Sequence, residues 1–180
     1  LRSSNLTQGP LVEEFEKSVA QYCGAKYAVA VNSGTSALHI ACLAAGVSVG
    51  DEVITSAITF AASANCVLYC GGKPVFADIE PGTALIDPLD IRKKLTKKTK
   101  AIIPVHFAGQ PADMEEISKI ARENNLLIIE DAAHAIGAKY RLQNGQDWVK
   151  VGSCLHSDMT ILSFHAVKQL TTGEGGMVLT

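Results

Sequence analysis

Leu126-Leu127-Ile128-Ile129-Glu130-Asp131-Ala132-Ala133-His134 is the stretch on which the fold turns. An unbroken apolar run from Leu126 to Ile129 leaves no polar face, so a strand here must be covered on both sides. Glu130 and Asp131 then close a very hydrophobic strand, where ionised groups do not sit without partners. Alternation along a strand sends the two carboxylates to opposite faces. One of them can therefore face a ligand while the other faces a helix or solvent. A carboxylate at this depth suits a positively charged heteroaromatic nitrogen. The plainer readings are an N-cap for Asp131 and a satisfied core histidine for His134.

Outward from this strand, helical and strand patterns alternate. Leu11 to Cys23 has an amphipathic helix pattern, with Val12, Phe15, Val19 and Tyr22 on one face and Gly24 as its stop. Strands are predicted at Tyr27–Val31, Val53–Thr55, Pro74–Ala77, Ala101–Val105, Leu126–Glu130 and Met159–Phe164. Helices are predicted at Ser36–Ala45, about Ala61–Gly71, Asp87–Leu95 and Asp113–Asn124, the last with Asp113 as N-cap. Apolar strands separated by helices predict a three-layer αβα architecture of α/β class, with a mainly parallel sheet. Ligands of such sheets bind at the carboxyl ends of the strands, which singles out the polar residues just after each one.

Composition narrows the functions. With 47% hydrophobic and 19% charged residues, the chain can bury a core and is not disordered. A net charge of −2 argues against nucleic acid or an anionic membrane surface as partner. The basic run from Arg92 to Lys100 is read as a solvated helix end. Cys23, Cys42, Cys66, Cys70 and Cys154 are odd in number and lack C-x-x-C spacing, so reduced thiols in a cytoplasmic protein are expected. His106, His156 and His165 lack metal-ligand spacing. The start, Leu1 to Asn5, is polar, and no apolar stretch is long enough to span a membrane. The chain does not begin with Met, and Gly175 to Thr180 has the pattern of a strand in progress, so both ends are expected to be cut.

Three further stretches could carry chemistry. Asn32-Ser33-Gly34-Thr35-Ser36-Ala37-Leu38 is a glycine turn leading into a helix, where free N–H groups and the helix dipole favour a phosphate. An ordinary Ser/Thr N-cap explains it equally well. Neither a Walker loop nor a G-x-G-x-x-G fingerprint is present. In Thr59-Phe60-Ala61-Ala62-Ser63-Ala64-Asn65, Phe60 stands where it could lie against a planar ring, although a core position is the simpler reading of that residue alone. In Ser163-Phe164-His165-Ala166-Val167-Lys168, a lysine follows a buried strand and precedes the turn Gly173-Glu174-Gly175-Gly176. Shielded from water, such an amine becomes nucleophilic; in an open loop it is merely solvated.

Taken in order, Leu6-Thr7-Gln8-Gly9-Pro10, Asn32 to Leu38, Glu130-Asp131-Ala132-Ala133-His134-Ala135, and Ser163 to Lys168 with Gly173 to Gly176 resemble the DegT/StrS family of pyridoxal 5′-phosphate (PLP)-dependent nucleotide-sugar aminotransferases. The resemblance runs over the whole chain. It implies the fold type I, aspartate aminotransferase-like large domain across residues 1–180, with a smaller C-terminal domain outside the chain. Lys168 would bond PLP, Asp131 would hold the pyridine nitrogen protonated, and His134 would sit near the ring hydroxyl. Phe60 would stack on the ring, and Gly34, Thr35 and Ser163 would bind the phosphate.

A lysine rather than a histidine at position 168 implies transamination rather than removal of a hydroxyl. The His165-Ala166-Val167-Lys168 form and Thr171 to Gly176 resemble the branch that aminates UDP-linked 4-keto sugars on the route to pseudaminic acid. Glutamate would be the amino donor, C4 of a UDP-linked 4-keto-6-deoxy-N-acetyl-hexosamine the acceptor, and a homodimer the assembly. A UDP-4-keto-pentose aminotransferase and an inactive or regulatory protein of the same fold are the alternatives.

Overall fold

The computed structural model describes residues 8–142, 145 and 148–180. The polar start and the Leu6-Thr7 pair of the first motif lie outside the described residues. Along the chain come α1 (Pro10–Cys23), β1 (Ala28–Val31), α2 (Gly34–Ala44), β2 (Glu52–Ser56), α3 (Ala62–Tyr69) and β3 (Lys73–Ala77). They are followed by α4 (Pro88–Lys94), β4 (Thr99–Ile103), α5 (Met114–Asn124), β5 (Leu127–Asp131), β6 (Lys139–Arg141), β7 (Trp148–Lys150), β8 (Met159–Ser163) and β9 (Gly176–Leu179).

The helix ends follow local chemistry. Gly24 stops α1 in the left-handed region at φ 86°, its N–H returning to the Ala20 carbonyl. Asp113 caps α5 by accepting from the Glu116 N–H at 3.1 Å. Asp87 caps α4, and Pro88 occupies the first turn, where its missing N–H is not needed. Arg92, the start of the basic run, reaches across to α5 and pairs with Glu116 and Glu123 at 2.9 and 2.7 Å.

Seven strands form one sheet in the order β1-β9-β8-β5-β4-β2-β3. Only β9 runs against its neighbours; the remaining neighbouring pairs are parallel. Helices cover both faces. Leu38, Ala41 and Cys42 of α2, with Cys66 and Val67 of α3, pack on Val53, Ile103, Ile129, Ile161 and Val178. On the opposite face, Ile91 of α4 and Ile117 and Ile120 of α5 pack on Ile54, Ile102 and Ile128. Beside them Val19 and Cys23 of α1 pack on Leu162, Met177 and Leu179. Ile128 and Ile129 thus feed opposite cores, which is why the run Leu126–Ile129 has no polar position.

The stripe expected on α1 needs correction. Val19 is buried and Phe15 meets the Phe164 ring edge-on at 5.0 Å, but Val12 and Tyr22 are 43% and 52% exposed. The buried residues are Val19, Ala20 and Cys23, so the helix meets the core through Phe15 and its last two turns and leaves its start exposed. The β6–β7 hairpin is a further addition to the predicted elements. No helix among the described residues is long and apolar enough to cross a membrane.

Candidate active site

The parallel strands all deliver their carboxyl ends to one edge of the sheet. Asp131 is the last residue of β5, two positions after Ile129, and so it faces the α2–α3 side. There its Oδ2 accepts from the Ser63 hydroxyl at 2.6 Å and its Oδ1 from the Ala133 N–H at 3.2 Å. Ser63 spends its only proton on the carboxylate, so the Thr59 hydroxyl, 2.7 Å away, donates to Ser63. Asp131 is not a helix cap; it is a carboxylate aimed by two donors.

Glu130 points the other way, as alternation requires. It is 2% exposed and takes hydrogen bonds from His106 at 2.7 Å, Thr160 at 3.0 Å and Ser157. Burial pulls its pKa up, but these hydrogen bonds and the adjacent imidazole outweigh burial and leave it below the usual carboxylate value. The two carboxylates are thereby told apart: Asp131 faces the cavity, and Glu130 serves the structure behind it.

A cavity of about 480 Å³ lies at this edge, lined by Gly34, Thr35, Phe60, Asp131, His134, Ser163 and Lys168 among others. Every residue assigned to the site from sequence borders it. Its volume falls within the roughly 300–1,000 Å³ of typical small-molecule sites. Ser33 caps α2, accepting from the Ser36 N–H at 3.1 Å. The N–H groups of Gly34 and Thr35 come before any carbonyl the helix can offer, and the dipole adds partial positive charge. The N-cap reading of this turn is realised in its geometry, and the cap leaves the Gly34 and Thr35 N–H groups without a carbonyl of the helix itself.

Close backbone approach explains the glycines. A Cβ on Gly176 would stand 2.2 Å from the Ser33 carbonyl oxygen, and one on Gly34 would stand 3.1 Å from the Ser163 Cβ. Ser163 ends β8, pairing with Gly176 of β9, so the three residues draw the strand end and the helix start together.

Lys168 follows in a turn tied back on β8. Its own N–H bonds the His165 carbonyl at 2.9 Å, while the Thr171 hydroxyl and the Thr172 N–H both return to the Phe164 carbonyl. The side chain is half-buried. His134, also half-buried, has its pKa lowered, first by burial and then by the Lys168 ammonium, with Asp131 opposing. It is a cavity residue and not a core histidine. Phe60 is 74% exposed at the same cavity, so the core reading of that residue does not hold.

Sequence reasoning gave no role to Ser63, Thr59 or His106. Ser63 and Thr59 lie in the quoted stretch around Phe60, one helical turn apart, and that spacing was the available signal. Among the described residues, no group of three or more His, Cys, Asp or Glu could hold a metal ion.

The donor set fits PLP chemically. An amine, a carboxylate for a ring nitrogen, a helix start with hydroxyls for a phosphate, and an exposed aromatic ring face one cavity. The fold is that of PLP fold type I proteins. The chain belongs to the DegT/DnrJ/EryC1/StrS aminotransferase family, whose model matches residues 1–180.

It is 48% identical over 172 residues to GDP-perosamine synthase of Caulobacter vibrioides, covering 96% of this chain and 44% of that one. The structure of NtdA from Bacillus subtilis with bound PMP superposes with a TM-score of 0.86 at 39% identity, covering 97% of this chain and 38% of that one. Helicobacter pylori PseC, an aminotransferase involved in pseudoaminic acid biosynthesis, gives 0.83 at 35% identity, covering 99% of this chain and 46% of that one. The chain therefore spans less than half the length of these proteins.

Proposed function

We propose that the protein carrying this chain is a PLP-dependent aminotransferase acting on a nucleotide-linked keto-sugar, with Lys168 as its cofactor lysine. The observation that carries this reading is the convergence of Lys168, Asp131 and the start of α2 on one cavity. PLP, when bound, supplies the electron sink that amine transfer requires. Asp131 holds a proton on the ring nitrogen, its aim set by Ser63 and Ala133. The N–H groups of Gly34 and Thr35, with the Thr35 and Ser163 hydroxyls, bind the phosphate. Phe60 would cover one face of the ring, and His134 would lie by the ring hydroxyl. Lys168 would hold the cofactor and, with its amine free, would be the acid and base that carries the proton moved in amine transfer.

The finer reading is transfer from glutamate to C4 of a UDP-linked 4-keto-6-deoxy-N-acetyl-hexosamine. The motif from His165 to Lys168, the run from Thr171 to Gly176 and the likeness to PseC support it. A second reading has its own support: the higher identity to GDP-perosamine synthase makes a GDP-linked keto-sugar the rival, beside the UDP-4-keto-pentose. Homodimer assembly is part of the same proposal. Ile40 and Leu43 on α2, and Leu68 and Tyr69 on α3, are exposed apolar side chains that such an interface would cover.

The test is to offer the full-length protein glutamate with each of the three keto-sugars, made in situ, and to compare specificity constants. A tenfold preference for the UDP-hexosamine is expected. A tenfold preference for either rival overturns the sugar assignment alone. Activity confined to a simple amino acid and keto acid pair overturns the keto-sugar reading.

A further inference from the structure

Glu130 and His106 form a buried pair to which the reaction above gives no task. Their relative exposures are 2% and 0%. The Ala112 N–H donates to His106 Nδ1 at 3.0 Å, which places the ring proton on Nε2, where it is donated to Glu130 Oε2 at 2.7 Å. Ser157 and Thr160 satisfy Oε1. Desolvating a carboxylate and then dedicating three donors to it is a costly way to fill a core that Ile128 and Ile129 already fill on either face.

Its position gives it a use. Glu130 directly precedes Asp131, on the opposite face of the same strand end, so whatever fixes one side chain fixes the rotation that aims the other. His106 makes a second tie. Its backbone N–H donates to the Asp131 carbonyl at 3.0 Å, while the Asp131 N–H donates to the Pro104 carbonyl at 2.9 Å. One residue thus holds the peptide of Asp131 through its backbone and the preceding side chain through its ring.

We propose that His106 is a positioning residue that, acting through Glu130, sets the aim of the Asp131 carboxylate at the ring nitrogen of PLP. The inference rests on the reading of Asp131 given above. It differs from a merely structural role in one respect: the Nε2 contact to Glu130 matters to the cofactor, and the Nδ1 contact to Ala112 does not.

Two substitutions separate the contacts, because an Asn amide oxygen stands near the Nδ1 position and a Gln amide nitrogen near the Nε2 position. In the full-length apoprotein, PLP affinity is measured by titration and thermal midpoint by scanning. His106→Asn should weaken PLP tenfold or more, while His106→Gln stays within threefold of wild type, although both lower the apo midpoint. In an Asp131→Asn background, His106→Asn should add less than threefold, since the group it aims has lost its charge. Thr160→Val, which removes one donor to Glu130 and leaves His106 intact, should weaken PLP several-fold. The inference is overturned by wild-type affinity in His106→Asn, by equal losses in both His106 variants, or by a full tenfold loss in the Asp131→Asn background. If neither His106 variant folds, unchanged affinity in Thr160→Val overturns it. Wild-type protein that takes up no PLP overturns the reading of the cavity, and this inference with it.

Discussion

The hydroxyl of Ser63 donates a 2.6 Å hydrogen bond to Oδ2 of Asp131, joining the start of α3 to the end of β5 across 68 residues of chain. Both groups are buried, so removing the donor leaves a carboxylate oxygen unmet and out of water. Ser63→Ala should destabilise the apoprotein by about 1–3 kcal/mol, the usual consequence of orphaning a buried acceptor. Urea unfolding of the full-length protein measures it; a midpoint equal to wild type would show that water replaces the hydroxyl.

Asp131→Asn keeps the shape of the side chain and removes its charge. At saturating PLP the cofactor should still be bound, because the phosphate and Lys168 sites are untouched. Single-turnover amine transfer should slow by roughly 10²–10³, the range seen when a charge-stabilising group is lost. Near-normal turnover would mean that another group holds the ring nitrogen.

Gly176 stands where β9 passes the entry to α2, and a Cβ there would meet the Ser33 carbonyl. Backbone cannot rotate away as a side-chain tip can. Gly176→Ala should therefore cost about 1–3 kcal/mol, as overpacking does, and should weaken PLP by displacing the helix start that binds phosphate. Gly82→Ala, whose added Cβ meets nothing within 4 Å, is the matched control and should leave PLP affinity unchanged.

Acid should loosen the fold in two stages. The pKa values of His134 and His156 are lowered, in both cases chiefly by burial, so below the ordinary histidine value of 6.5 the unfolded chain binds protons that the folded chain resists. Stability is then full above that value and falls as pH drops toward the lowered folded values. Glu130 behaves as a carboxylate whose folded pKa is depressed: its contribution is present above 4.5 and is lost as pH falls through the lower folded value. Urea midpoints from pH 8 down to about pH 3 should show both stages, and His156→Gln should flatten the first. A wild-type midpoint that does not change between pH 8 and 5.5 would contradict this.

The fold was legible wherever a local pattern had one solution. The Leu126–Ile129 run had to be a doubly covered strand, Gly24 had to stop a helix and Asp113 had to start one. Two features lay beyond local pattern. The insertion of β9 between β1 and β8, against their direction, is set by tertiary pairing. The hairpin of Lys139–Arg141 with Trp148–Lys150 has strands too short to show an alternation. At the site, alternation predicted that Glu130 and Asp131 would part, and could not say which faced the cavity. That choice is made by Ser63 and His106, distant in sequence and ordinary in their local surroundings. Phe60 was misjudged on its own because large aromatics are usually buried; its exposure follows from its place at the strand-to-helix junction bordering the cavity.

The most direct test is the identity of the lysine that bonds the cofactor. Full-length protein is incubated with PLP, reduced with borohydride, digested and mapped by mass. A phosphopyridoxyl mass on Lys168, together with a visible absorbance band that vanishes on reduction, is the expected result. The same mass on a different lysine, or no label on a folded protein, would contradict the assignment of this cavity.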